Sequence, residues 1–172
     1  MKEIKIYNFI LPPFMLFVFV PWLWLLSLAG NFVIDSIVVL IISLIIFKQF
    51  DLKLYKSTIL KVWGFGFFAY IVGVAYLFVV GIDMEYKRGD SFLEQIETGI
   101  YYAVNHSHFD SIYGVLFILS GVLLSAILIF LMNFFITFKN TMLTKTQRLI
   151  MSLSLAVLTA PYTFLLPKEL FY

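Results

Sequence analysis

The chain is 172 residues long, 62% hydrophobic and 13% charged, with a formal net charge of +2 and no cysteine. Soluble domains run about 45–50% apolar and about 25% charged, so this chain has too few polar residues to cover a water-exposed surface. A soluble fold is excluded, as are disulfides, thiolate catalysis and cysteine-based zinc sites, and the basic residues are too few and scattered for nucleic acid.

What remains is an all-α integral membrane bundle in the lipid bilayer, a single domain over residues 1–172. The heavy use of Ile, Phe, Lys, Asn and Tyr suits an AT-rich bacterial genome.

A bilayer core about 30 Å thick takes roughly 20 apolar residues of helix. Five stretches approach that length: Phe9–Ala29, Phe32–Phe47, Val62–Ile82, Ile112–Phe138 and Leu149–Leu166. With the amino terminus cytoplasmic, nine basic residues fall inside: Lys2, Lys5, Lys48, Lys53, Lys56, Lys61, Lys139, Lys145 and Arg148. Only Lys87, Arg88 and Lys168 fall outside, a strong positive-inside bias that places the carboxyl terminus outside the cell membrane.

The first stretch follows Lys2 and Lys5, and Ser27-Leu28-Ala29 resembles a signal-peptide cleavage site. Its length, and Trp22 and Trp24 just upstream of that site, favour a retained helix. Pro12 and Pro13 suit its start, while Pro21 removes the donor for the Phe17 carbonyl and predicts a kink. Gly30-Asn31 reads as a tight turn, with Asn31 capping the second helix.

Asp35 is the one acid within a predicted span, where ionisable groups are costly and functional by default. It has two readings. One is a cation or proton site on the outer side of the bundle, serving a small transporter or channel. The other is a structural carboxylate in the first turns of the second helix, favoured by the helix dipole and within reach of water.

The segment Lys48–Lys61 reads as a basic inner loop interleaved with Phe50, Leu52, Tyr55 and Ile59. It sets topology, and it also suits anionic lipid at about 1 kcal/mol per basic residue. Thr144-Lys145-Thr146-Gln147 fits a capping box for the last helix.

Small residues recur at helical spacing in three spans: Gly66, Ala69 and Gly73; Gly114, Gly121 and Ser125; Ser152, Ala156 and Ala160. Such faces let backbones approach closely. The last three helices are therefore expected to pack together, either within one chain or between copies of a homo-oligomer.

The long polar run Asp83–Ser111 carries six of the ten acids and both histidines. Ser91-Phe92-Leu93-Glu94 fits a capping box, so a helix should begin there. At about 100° per residue, Phe92, Leu93, Ile96, Ile100, Ala103 and Val104 share one face, and Glu94, Glu97, Thr98 and Tyr101 oppose them. The expectation is a short amphipathic extracytoplasmic helix lying on the outer end of the bundle, carboxylates toward water.

Next come His106, His108 and Asp110, which in an extended segment would share a face. Imidazole and carboxylate together suit a divalent metal such as zinc, leaving a position for water. The competing reading is solvent-facing loop histidines, with Asp110 or Ser111 capping the fourth span, or a pH-sensing pair.

No phosphate-binding loop, His-Glu-x-x-His or Gly-x-Ser-x-Gly is present. The function expected first is therefore non-enzymatic: an accessory, sensing, immunity-type or partner-binding component acting through its outer cap, with another membrane protein as partner. A metal-dependent enzyme using His106, His108 and Asp110 stands second, and a transporter or channel at Asp35 third.

Overall fold

The computed structural model describes residues 21–48, 51–82, 84–87, 89 and 91–166. Helices make up its regular structure, and among the described residues there is no strand. Four helical segments are long and apolar enough to cross a membrane: Leu28–Phe47, Leu52–Ile82, Ile112–Thr137 and Lys145–Leu165. The start of the expected Phe9–Ala29 span lies outside the described residues.

Helix α1 runs from Pro21 to Phe47 without interruption. The turn expected at Gly30-Asn31 is not formed. No glycine adopts positive φ, and Gly30 has open space where a side chain would sit, so nothing local forces a bend. The neighbouring helix also holds both sides of the supposed turn: Trp63 Nε1 donates to the Leu28 carbonyl at 2.9 Å, and its ring meets Phe32 edge-on at 6.0 Å. Helix α1 ends at Lys48, which takes φ 56°, the left-handed conformation common just past a helix terminus.

Helix α2 spans Leu52–Ile82 and absorbs most of the expected basic loop. Its start is explained by Asp51, whose side chain accepts from the Leu54 N–H at 2.9 Å as an N-cap. Lys53, Lys56 and Lys61 thus ride on the first turns of a helix rather than on a loop.

Helix α3 covers Phe92–Asn105 and begins with the expected capping box, Ser91 and Glu94 satisfying each other's backbone N–H. Ser111 caps α4, Ile112–Met132, which runs on into a π-helical turn at Asn133–Thr137. Helix α5, Lys145–Leu158, starts at the capping box of Thr144 and Gln147 and stops well short of Leu166. Pro161 cannot supply the N–H that Val157 needs. The Tyr162 hydroxyl donates to that carbonyl at 2.5 Å instead, and a 3-10 turn follows at Tyr162–Leu165.

Helix α4 is central, with α2, α3 and α5 packed around it, while α1 lies against α2 and α5. At the α2–α4 crossing a side chain on Gly73 would strike Ser125 Oγ and approach the Gly121 carbonyl to 3.3 Å. Ser125 Oγ lies 3.0 Å from both the Ala69 and Gly121 carbonyls. Gly114 instead faces α3, where an added Cβ would lie 2.9 Å from the Gly99 carbonyl. Ser152, Ala156 and Ala160 are buried on α5 and beyond it. The α2 and α4 small-residue faces therefore meet within one chain at Ala69, Gly73, Gly121 and Ser125. Leu116, Leu119, Leu123, Ile127 and Leu131 of α4 stay exposed, an aliphatic outer surface suited to lipid tails.

Candidate functional site

The segment around the two histidines is built by local hydrogen bonding. Ser107 caps a 3-10 turn at His108–Asp110 by accepting from the Phe109 N–H at 3.3 Å. A 3-10 turn advances about 120° per residue, so positions i and i+2 diverge where an extended chain would align them.

Accordingly His108 turns inward, 3% exposed, with Nε2 3.3 Å from the Leu165 carbonyl. His106 stays exposed against the rings of Tyr101 and Tyr102, and Asp110 is exposed. Among the described residues no three His, Cys, Asp or Glu side chains converge as metal ligands. His106, His108 and Asp110 are not brought together, because the backbone that would align them is a turn.

The polar end of the molecule is firmly made. Thr98 Oγ1 donates to the Lys87 carbonyl at 2.8 Å, and Lys87 forms an ion pair with Glu97. Bonding to Glu97, followed by its charge, holds the Lys87 ammonium above its ordinary value. The Ser91 hydroxyl, then its backbone N–H, holds the Glu94 carboxyl below its own. Ile100 and Ala103 of α3 are buried, but Phe92 and Leu93 are 66% and 69% exposed, unlike the fully seated apolar face expected.

Asp35 lies elsewhere, and deeper than its sequence position implies. Because α1 is continuous from Pro21, Asp35 is mid-helix and has no helix N-terminus beside it. It is 2% exposed, which removes the account based on the dipole and nearby water.

Its Oδ2 would lie 3.4 Å from a Cβ on Gly66. Gly66 sits fourteen residues after Leu52 and sixteen before Ile82, about 21 Å and 24 Å from the two ends of α2. Asp35 is therefore near the middle of the bundle's depth. Thr159 lies beside the carboxylate, its hydroxyl donating to the Leu155 carbonyl at 2.8 Å, while Oδ2 has no hydrogen-bond partner among the described residues. Thr159 is the residue at which α5 ends.

Sequence reasoning did not anticipate the nearness of Thr159 to Asp35, which depends on the register of α1 against α5. It also missed a polar group at the other end. Asn133, Thr137 and Ser152 are buried there, and the Arg148 guanidinium stacks 4.4 Å from the Phe134 ring centroid.

Comparison with protein-family models, curated proteins and solved structures gives no match to this chain. The site has to be interpreted from its own residues.

Proposed function

We propose that the chain is a non-enzymatic component of the cell membrane, of sensing, accessory or immunity type, that engages another membrane protein through the cap formed by α3 and the His108–Asp110 turn. The observation that carries this reading is a cap fastened on its inner side and uncommitted on its outer side. Gly99 against Gly114, His108 against Leu165, and Thr98 against Lys87 hold it. Phe92 and Leu93 are exposed on its outer side. An apolar and an acidic face on one helix make α3 amphipathic, suited to lying in the membrane interface with Phe92 and Leu93 toward lipid or partner.

The cap is assigned to the extracytoplasmic side. Lys48, Lys53, Lys56, Lys61, Lys139, Lys145 and Arg148 belong to the α1–α2 and α4–α5 ends of the bundle, whereas α3 follows the far end of α2. Positive residues favour the cytoplasm, so the opposite end faces out. Separation of His106 from His108 removes the observation that would favour metal-dependent catalysis.

A photo-crosslinking residue at Phe92 or Leu93 in intact cells tests the proposal. Discrete protein adducts absent from an equivalent probe at lipid-facing Leu123 are expected. Identical patterns at cap and lipid-facing positions would defeat it.

A further inference from the structure

We propose that the groove between α4 and α5 holds an acyl chain of one anionic phospholipid, whose phosphate is bound by Arg148. The groove is a cavity of about 580 Å³ on the lipid-facing surface, lined by apolar side chains and Tyr162. Buried Val122 and Ala156 form its floor, and exposed Leu123 and Val157 form its rims. Water is excluded at this depth, so hydrocarbon or another helix has to fill it.

The charge that selects a lipid stands at the inner mouth. Phe130 lines the groove, the Phe134 ring stacks on Phe130 with centroids 5.6 Å apart, and the Arg148 guanidinium lies 4.4 Å from the Phe134 centroid. Arg148 itself lies beyond the apolar lining, as a headgroup anchor must. Three residues, about 4.5 Å, separate it from Lys145 at the start of α5, which puts it at headgroup level. No acid occurs between Asp110 and Glu169, so the α4–α5 hairpin carries Lys139, Lys145 and Arg148 without a carboxylate. Arg148 makes no ion pair among the described residues, and its Nε is buried without an acceptor. A guanidinium held on an aromatic face and lacking a carboxylate is matched by phosphate oxygens, which accept from its terminal N–H groups in pairs. Basic pockets between membrane helices on the cytoplasmic side bind anionic headgroups in this way.

The length agrees with an acyl chain. From Phe130 to Leu119 the groove follows eleven residues of α4, about 16 Å, and one leaflet of a core about 30 Å thick is about 15 Å deep. At the far end Tyr162 lines it, folded back so that its hydroxyl donates to the Val157 carbonyl at 2.5 Å. The lipid comes from the inner leaflet under the orientation assigned above; the site itself does not depend on that orientation. A helix of a second copy is the competing occupant, and it would fill the groove without a phosphate at Arg148.

The test is lipid titration of the delipidated full-length protein in detergent, read by thermal unfolding and native mass spectrometry, so that it fails or succeeds separately from the orientation. Phosphatidylglycerol should bind one per chain and raise Tm saturably, by about 5–10 °C at a hundredfold excess over Kd. Phosphatidylcholine should bind more weakly, and glycerol phosphate, the headgroup without chains, should leave Tm unchanged. Arg148→Gln should weaken phosphatidylglycerol binding about tenfold. Ala126→Phe, which fills the groove, should abolish it, whereas Lys53→Gln with Lys56→Gln, at the other basic connection, should leave it unchanged.

No saturable binding, equal affinity for both lipids, or full binding retained in Arg148→Gln or Ala126→Phe would overturn the proposal. Equal weakening by the Lys53 and Lys56 substitutions would assign the effect to general surface charge, and a full shift with glycerol phosphate would assign it to a free anion; either overturns it. A dimer that ignores added lipid and is lost in Ala126→Phe would identify a second copy as the occupant and overturn it equally. If Arg148→Gln or Ala126→Phe does not fold, Leu123→Trp on the exposed rim replaces it, with the same loss of binding expected.

Discussion

Gly73→Ala should destabilise the bundle through one helix crossing, whereas Gly64→Ala on the same helix should not. The added Cβ at position 73 would overlap Ser125 Oγ, lie 3.0 Å from Phe164 Cε2 and 3.3 Å from the Gly121 carbonyl. The phenyl ring can swing aside; the α4 backbone cannot.

Overpacking of this kind costs about 1–3 kcal/mol. Turning Ser125 away also loses its bond to the Ala69 carbonyl, with about 0.6 kcal/mol as the average for such bonds in membranes. At Gly64 nothing lies within 4 Å, so alanine should gain up to about 1 kcal/mol of helix propensity. The two substitutions should differ by about 2–4 kcal/mol in reversible unfolding by steric trapping in bicelles. Adding Ser125→Ala to Gly73→Ala should recover part of the loss, because the Oγ overlap disappears. Equal stability of the Gly73 and Gly64 variants would refute this helix crossing.

Three further outcomes follow from particular residues. Gly30→Ala should be neutral or stabilising by up to about 1 kcal/mol in the same assay if α1 is continuous; a loss would restore the turn at Gly30-Asn31. The histidines should part company: His108→Ala, deleting a buried ring, should cost about 1–3 kcal/mol, while exposed His106→Ala stays within about 0.5 kcal/mol. Similar effects from both would argue for a shared role. The capping box of α3 should loosen in acid. The folded Glu94 carboxyl lies below its ordinary value of 4.5, so its contribution is complete above that pH and lost as pH falls through the lowered value. Amide exchange in the first turn of α3, taken relative to its intrinsic rate at each pH, should therefore hold steady above pH 4.5 and rise as the pH falls through the lowered Glu94 value, and Glu94→Gln should flatten the profile. A wild-type profile without that rise would contradict the cap.

The features legible in sequence are those set by a few neighbouring residues. The boxes at Ser91-Glu94 and Thr144-Gln147 form because their spacing suffices to satisfy helix-end N–H groups. Asp51 belongs to the same class, but a cluster of lysines made its surroundings look like a loop.

What local pattern could not supply was long-range register. Trp63 straps α1 across Gly30, overriding a dipeptide that favours turns elsewhere. The depth of Asp35 likewise depends on where α1 meets Gly66 and Thr159, residues distant in sequence. The histidine pair failed for the opposite reason, since Ser107 bends five residues assumed to be extended.

The absence of cysteine allows the central claim, a cap on one side of the membrane and the basic end on the other, to be tested with single labels. Lys87→Cys, beside the cap, and Lys139→Cys, in the α4–α5 connection, would each be exposed to a membrane-impermeant maleimide in intact cells. Labelling at position 87 before lysis, and at position 139 only after it, is the expected result. Labelling of both in intact cells, or of position 139 alone, would contradict the assigned arrangement.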